Sequence, residues 1–325
     1  MTKSLPLHKH GIEGSRLVLG CMGLGGGWDS SPVTSEHLRQ AHDAVEAALS
    51  IGINMFDHAD IYTRGKAEQV FGQVLKDRPE LRESIILQSK CAIRFAEESG
   101  VPGRYDFSEE HIHKSVDGIL KRLGVEYLDI LLLHRPDPLM DPEEVAKTLS
   151  DLKSSGKVRR FGVSNMSAAQ IQLLQHYTDE KFVVNQLEMS LAKLGWLNSV
   201  VQLNTESAKN DIFPEGTVEF CRMENIQIQA WGPLAKGVFS GASTADQPES
   251  VQTTAKLVEQ LAEEKNTTAE AIVLAWLMKH PAGIQPVIGT ANADRIRACR
   301  DAEQVTLTRD EWYTLYVSSR GVPLP

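Results

Sequence analysis

Four cysteines in a chain of 325 residues are too few, and too scattered, to act as a covalent framework. Cys21, Cys91, Cys221 and Cys299 form no CxxC pair and no metal-ligand spacing, which suits reduced thiols in a cytoplasmic protein and gives no reason to expect a metal. No apolar stretch approaches the roughly 20 residues needed to span a bilayer. The first segment, MTKSLPLHKHGIEGS, has no apolar core of the kind a secretory signal needs. Basic runs are missing too: 34 Lys and Arg against 43 Asp and Glu give a net charge of −9, with no Arg-rich face for nucleic acid. The glycine cluster Gly23-Leu-Gly-Gly-Gly27-Trp28 is not a dinucleotide fingerprint, because GxGxxG would need glycine where Trp28 stands. What remains is an ordinary globular composition, 42% hydrophobic and 24% charged. It speaks against a nucleic-acid or membrane partner and by itself names no other.

Short apolar runs alternate with helical patterns from residue 17 onward. Strands are expected at 17–22, 53–57, 84–90, 128–134, 158–164, 182–188, 226–231 and 285–289. Several are nearly continuous Val, Ile and Leu, as parallel strands buried on both faces should be. Helix starts are marked by Asp141-Pro142-Glu143-Glu144, by Ser108, and by capping-box spacings at Ser167/Gln170, Thr267/Glu270 and Thr308/Glu311. Gly124 marks the end of the helix that Ser108 begins. About eight strand–helix repeats without a linker argue for a single (β/α)8 TIM barrel domain over 1–325, with an open doubly wound sheet as the alternative. Residues 1–16 are expected to form a hairpin across the bottom, and 307–320 an added C-terminal helix. Three long connections, 91–107, 188–214 and 234–250, follow strands and so fall on the face where barrels carry their sites.

On that face stand Asp57 and Tyr62 in NMFDHADIYTRGKAE, Lys90 in IILQSKCAI and His134 in DILLLHRPD. Strand alternation turns His58 outward if Asp57 points in, which weakens a metal reading of Asp57-His58-Ala59-Asp60. The four groups suit reduction of a carbonyl by hydride, which needs a proton donor for the developing oxyanion. A free tyrosine titrates at about pH 10 and gives up its proton reluctantly; a neighbouring ammonium lowers that value. Asp57 would keep Lys90 charged, and neutral His134 could donate a hydrogen bond to the carbonyl oxygen. Taken singly, each residue also has an ordinary structural reading, as an ion pair or as core packing.

This order of residues resembles the catalytic tetrad of the aldo-keto reductases, NAD(P)H-dependent carbonyl reductases. GVSN (162–165), VVNQLE (183–188), AWGPLAKG (230–237) and VIGTANADRIR (287–297) resemble that family's cofactor segments in the family's order. The resemblance implies Tyr62 as general acid and NADPH as cofactor, with NADH possible. It implies that Ser164, Asn165 and Gln186 hold the nicotinamide carboxamide and that Trp231 stacks on its face. Leu234 and Lys236 would approach the pyrophosphate, and Thr290 and Arg295 the adenosine end. Met22, Gly232 and Gly289 join the cofactor set, and Trp28 is the candidate hydrophobic wall for an aldehyde or ketone. Departures occur at Gly289 and Ala291, where many members have a lysine beside the threonine, and at Ala298-Cys299. The likeness also implies a monomer. A nucleotide sensor with the same fold and negligible turnover is the rival reading; a metal-dependent hydrolase or isomerase is a third.

Overall fold

The computed structural model describes residues 4–210 and 212–325. Eight parallel strands close into a barrel: β1 (Val18–Gly20), β2 (Met55–Asp57), β3 (Ile86–Cys91), β6 (Leu128–Leu133), β7 (Val158–Ser164), β8 (Phe182–Glu188), β9 (Gln227–Trp231) and β10 (Gln285–Ile288). The remaining two, β4 (Ile93–Arg94) and β5 (Arg104–Tyr105), form an antiparallel hairpin inside the first long connection. Around the barrel, β1 pairs with β2 and β10, so the ring is closed without an edge. The apolar runs became strands because both faces are covered: outward side chains meet helices, inward ones fill the barrel. Gly162 in β7 is required by packing. A Cβ there would lie 2.6 Å from Leu132 and 2.7 Å from the Val184 carbonyl. The β7–β8 register shifts at this point, just before Ser164 reaches the barrel mouth.

Most caps fall where the chain signals them. Ser108, Asp141, Ser167 and Thr308 each accept a backbone N–H at a helix start, and Gly124 ends its helix in the left-handed region. One cap is displaced: Thr268, not Thr267, caps the helix Ala269–Lys279, accepting from the Ala271 N–H. Thr267 and Thr268 offer the same hydroxyl, and the register of the buried helix face decides between them.

The expected N-terminal hairpin is not a β-hairpin. Residues 1–3 lie outside the described residues; after them Pro6–His10 form a 3-10 turn closed by left-handed Gly11. Proline at the first helical position favours this turn over a ladder to which it could not donate. Leu5 and Leu7 from this segment plug the barrel bottom against Val18, Met55, Ile130, Leu132 and Val287. The C-terminal helix Arg309–Arg320 forms as expected. Trp312 stacks on Trp276 at 5.3 Å, and each indole N–H donates to the other residue's carbonyl, at 3.1 and 2.9 Å.

Candidate active site

Alternation along the strands turns Asp57, Gln88 and Lys90 into the barrel, where Gln186, Gln229 and Gln285 join them. Lys90 is fully buried at the strand end and spends its ammonium hydrogens on three acceptors. These are Asp57 Oδ2 at 2.7 Å, the His58 carbonyl at 2.9 Å and the Tyr62 hydroxyl at 2.9 Å. Burial alone would push this ammonium's pKa down, but the Asp57 charge and the Tyr62 oxygen hold it above the usual lysine value. Asp57 Oδ1 accepts from the amides of Gln88 (2.6 Å) and Gln186 (3.2 Å). Both amides also donate to Gln229 Oε1, at 2.8 and 3.0 Å. Gln229 then donates to Gln285 Oε1 at 3.0 Å, and Gln285 to the Ser15 carbonyl at 2.6 Å. A column of four glutamines thus runs down the barrel from the carboxylate. Polar residues at inward positions of otherwise apolar strands are its sequence signal.

Tyr62 sits half-buried at the mouth. Its ring meets Trp28 edge-on at 6.5 Å and His134 at 6.1 Å. One expectation is corrected here: Lys90 does lower the phenol's pKa, but burial outweighs it and Asp57 opposes it, so the net shift is upward. His134 is neutral, its pKa pushed well below the usual histidine value by burial first, then by the Lys90 and Arg135 charges. Its Nδ1 is buried without a hydrogen-bond partner among the described residues. His58 packs outward on Phe71, with ring centres 4.6 Å apart, and burial drops its pKa to about 3.

The residues just after Tyr62 are unusual. Thr63 (φ 46°), Arg64 (φ 58°) and Gly65 (φ 84°) are consecutively left-handed, a costly state for a β-branched threonine. Thr63 Oγ1 donates to the Leu24 carbonyl at 3.0 Å, tying this turn to the loop that carries Trp28. Arg64 Nε donates to the Trp28 carbonyl at 3.1 Å, and Lys66 holds Asp29 at 3.1 Å. Behind the turn lies a second buried group that spacing alone does not single out. Glu68 accepts from Ser89 at 2.8 Å and from Arg122 at 2.7 Å. Asp60 lies beside Glu68, and burial and that charge raise its carboxyl's pKa to about 7.

The residues expected to hold a cofactor fall into connected sets. Asn165, left-handed at φ 59°, donates to Ser164 Oγ (2.8 Å) and the His134 carbonyl (3.3 Å), and accepts from the Trp231 indole at 3.0 Å. Ser164 donates to the Gln186 carbonyl at 2.9 Å. With Gln186's amide hydrogens committed to Asp57 and Gln229, its Oε1 is the atom left for a ligand. After Gly232 and Leu234, residues Ala235, Lys236 and Gly237 are again consecutively left-handed. Gly289 and Thr290 follow β10, and Arg295 lies on the helix Ala293–Arg297 behind them. Met22 (48% exposed) and Trp28 (46% exposed) stand on the turn and loop after β1. A cavity of about 630 Å³ at the opposite end of the barrel, lined by Arg82, Tyr127 and Arg160, contains none of these residues. No helix among the described residues is long and apolar enough to cross a membrane.

Known proteins resemble this chain in sequence and in fold. The sequence profile of the Aldo/keto reductase family matches residues 16–316. A 6-dehydroglucose reductase of Agrobacterium fabrum is 36% identical over 314 residues, covering 95% of this chain and 96% of that protein. Oxidoreductase YdhF of Escherichia coli is 34% identical over 328 residues, 100% of both. Among solved structures, the glycerol dehydrogenase AKR11B4 of Gluconobacter oxydans superposes with a TM-score of 0.78 at 23% identity, covering 97% of this chain and 95% of that one. An aldo/keto reductase of Klebsiella pneumoniae, solved with NADP and acetate, gives 0.70 at 23% identity, over 95% and 92%. The chain belongs to the aldo/keto reductase family of oxidoreductases.

Proposed function

We propose that this protein reduces an aldehyde or ketone to an alcohol with NADPH, and that Tyr62 delivers the proton. The observation that carries the reading is the Lys90 ammonium bonded at once to Asp57 (2.7 Å) and Tyr62 (2.9 Å), beside a neutral histidine. NADPH, when bound, supplies the hydride. Tyr62, protonated because its pKa is raised, donates to the carbonyl oxygen as charge builds there. Lys90 then stabilises the phenolate left behind, Asp57 keeps Lys90 charged and in place, and His134 Nε2–H orients the carbonyl.

The residues present fit the cofactor. Trp231 offers a ring face fixed by its bond to Asn165, and Gln186 Oε1 is available to a carboxamide N–H. Lys236, on the turn after β9, and Arg295, on the short helix after β10, are exposed cations suited to a pyrophosphate and a 2′-phosphate. Arg295 is the reason to favour NADPH over NADH. The four unpaired, buried thiols suit a cytoplasmic enzyme, which we take to be a monomer.

The test is NADPH consumption with a panel of aldehydes and ketones, for wild type and Tyr62→Phe side by side, with NADH as second cofactor. Turnover is expected to fall by about 10²–10⁴-fold in the variant, while NADPH affinity by fluorescence titration is retained. NADPH binding without turnover of any carbonyl by wild type would point to a sensor instead.

A further inference from the structure

Several cations on the barrel face that carries Tyr62 are neutralised. Lys66 pairs with Asp29, Lys90 with Asp57, Arg94 with Asp106, and Arg104 with Glu97. Arg64 and Arg135 are different: among the described residues neither has a carboxylate within ion-pair distance. Arg64 lies over the Phe95 ring at 5.0 Å and donates to the Trp28 carbonyl. Arg135, next in sequence to His134, holds its guanidinium 6.0 Å from the Trp231 ring centre. Arg64 follows Tyr62 by two residues and reaches the Trp28 side, and Arg135 follows His134 and reaches the Trp231 side. Even in a chain of net charge −9, neither is neutralised among the described residues. A planar guanidinium matches a carboxylate or phosphate with two parallel hydrogen bonds, and the match strengthens as a substrate displaces water.

On the reductase reading above, we propose that this site prefers carbonyl substrates bearing an anionic group, carboxylate or phosphate, a few bonds from the carbonyl. Arg135 is the main specificity-determining residue and Arg64 the second. With the carbonyl oxygen at Tyr62 and His134, the substituent leaves the reacting carbon toward one guanidinium or the other. Each turnover adds a hydride to carbon and a proton to oxygen and oxidises one NADPH to NADP⁺; the anionic group is unchanged.

The measurement uses matched pairs: 4-oxobutanoate against pentanal, and glyceraldehyde 3-phosphate against glyceraldehyde. KM and kcat are taken by NADPH consumption for wild type, Arg135→Met, Arg135→Lys and Arg64→Met, with thermal melting to establish folding. Wild type should favour the charged member of at least one pair by about tenfold or more in kcat/KM; which pair responds tells carboxylate from phosphate. Arg135→Met should collapse that ratio mainly through KM, and Arg135→Lys should restore part of it. Added salt should raise KM for the charged compound alone. A wild-type ratio near one in both pairs, or a preference unchanged in both Met variants, overturns the proposal. If only the neutral members turn over, this inference falls and the reductase reading stands. If no compound is reduced, the reductase reading falls and takes the inference with it.

Discussion

Lys90 makes three hydrogen bonds inside the protein and has no exposed surface, so its charge depends on its neighbours. Replacing it with methionine would leave the Asp57 carboxylate buried beside two amides and no cation. A loss of about 3–5 kcal/mol is expected, because breaking a buried pair strands the remaining charge; chemical denaturation measures it. Lys90→Met combined with Asp57→Asn should recover part of that stability without recovering turnover. Tyr62 gives a pH prediction of definite sign. As the proposed proton donor it must be protonated, and its pKa is raised, so kcat/KM for reduction should hold through neutral pH and fall only on the alkaline side, at or beyond the ordinary tyrosine range.

Asp60 predicts the opposite trend for stability at lower pH. Its carboxyl titrates at about 7 in the folded protein, against about 3.9 in an unfolded chain. Between those values the unfolded chain has released a proton that the folded one keeps, so stability falls as pH rises through that window. Melting curves at pH 4, 6 and 8 should show Asp60→Asn losing that slope and melting above wild type at pH 8. Parallel curves for the two proteins would refute the assignment. Asp57, Tyr62, Lys90 and His134 are all legible in the sequence because each stands at or shortly after the end of a recognisable strand. Asp60 is not, because its chemistry comes from Glu68 and Arg122 on two helices that only folding brings beside it.

At the scale of elements, strands are read most securely, since a short unbroken run such as ILLL (130–133) suits a sheet covered on both sides. Loops are read least well. The β4–β5 hairpin pairs only two residues a side, and no alternation marks it in sequence. The loop after β1 owes its shape to contacts made across space. Gly25 is left-handed there, and a Cβ would come within 2.6 Å of the Lys66 backbone. Gly25→Ala should therefore push this loop off the helix Lys66–Asp77 and carry Trp28 with it. The expected result is a raised KM for bulky carbonyls with little change for the smallest ones, read from a size series of aldehydes.

For the molecule as a whole, the C-terminal helix ties the outer layer to the catalytic face. Ser319 donates to the Leu191 carbonyl, and the Tyr316 hydroxyl to Asn198 at 2.9 Å, both in the long connection after β8. Trp312→Ala removes the stack on Trp276, so limited proteolysis should cut within 188–214 sooner than in wild type. Equal cutting rates would show that this connection holds its shape unaided. The eightfold repeat is legible in sequence because it is periodic, whereas these tethers link positions more than a hundred residues apart and leave no local trace.

The glutamine column is an insulator as well as a scaffold. Amide side chains order one another by donating and accepting, yet none can release a proton at neutral pH, so the line from Asp57 to Ser15 conducts nothing. On the role proposed for Tyr62, a proton given up there would be replaced from the solvent at the mouth and not through the barrel.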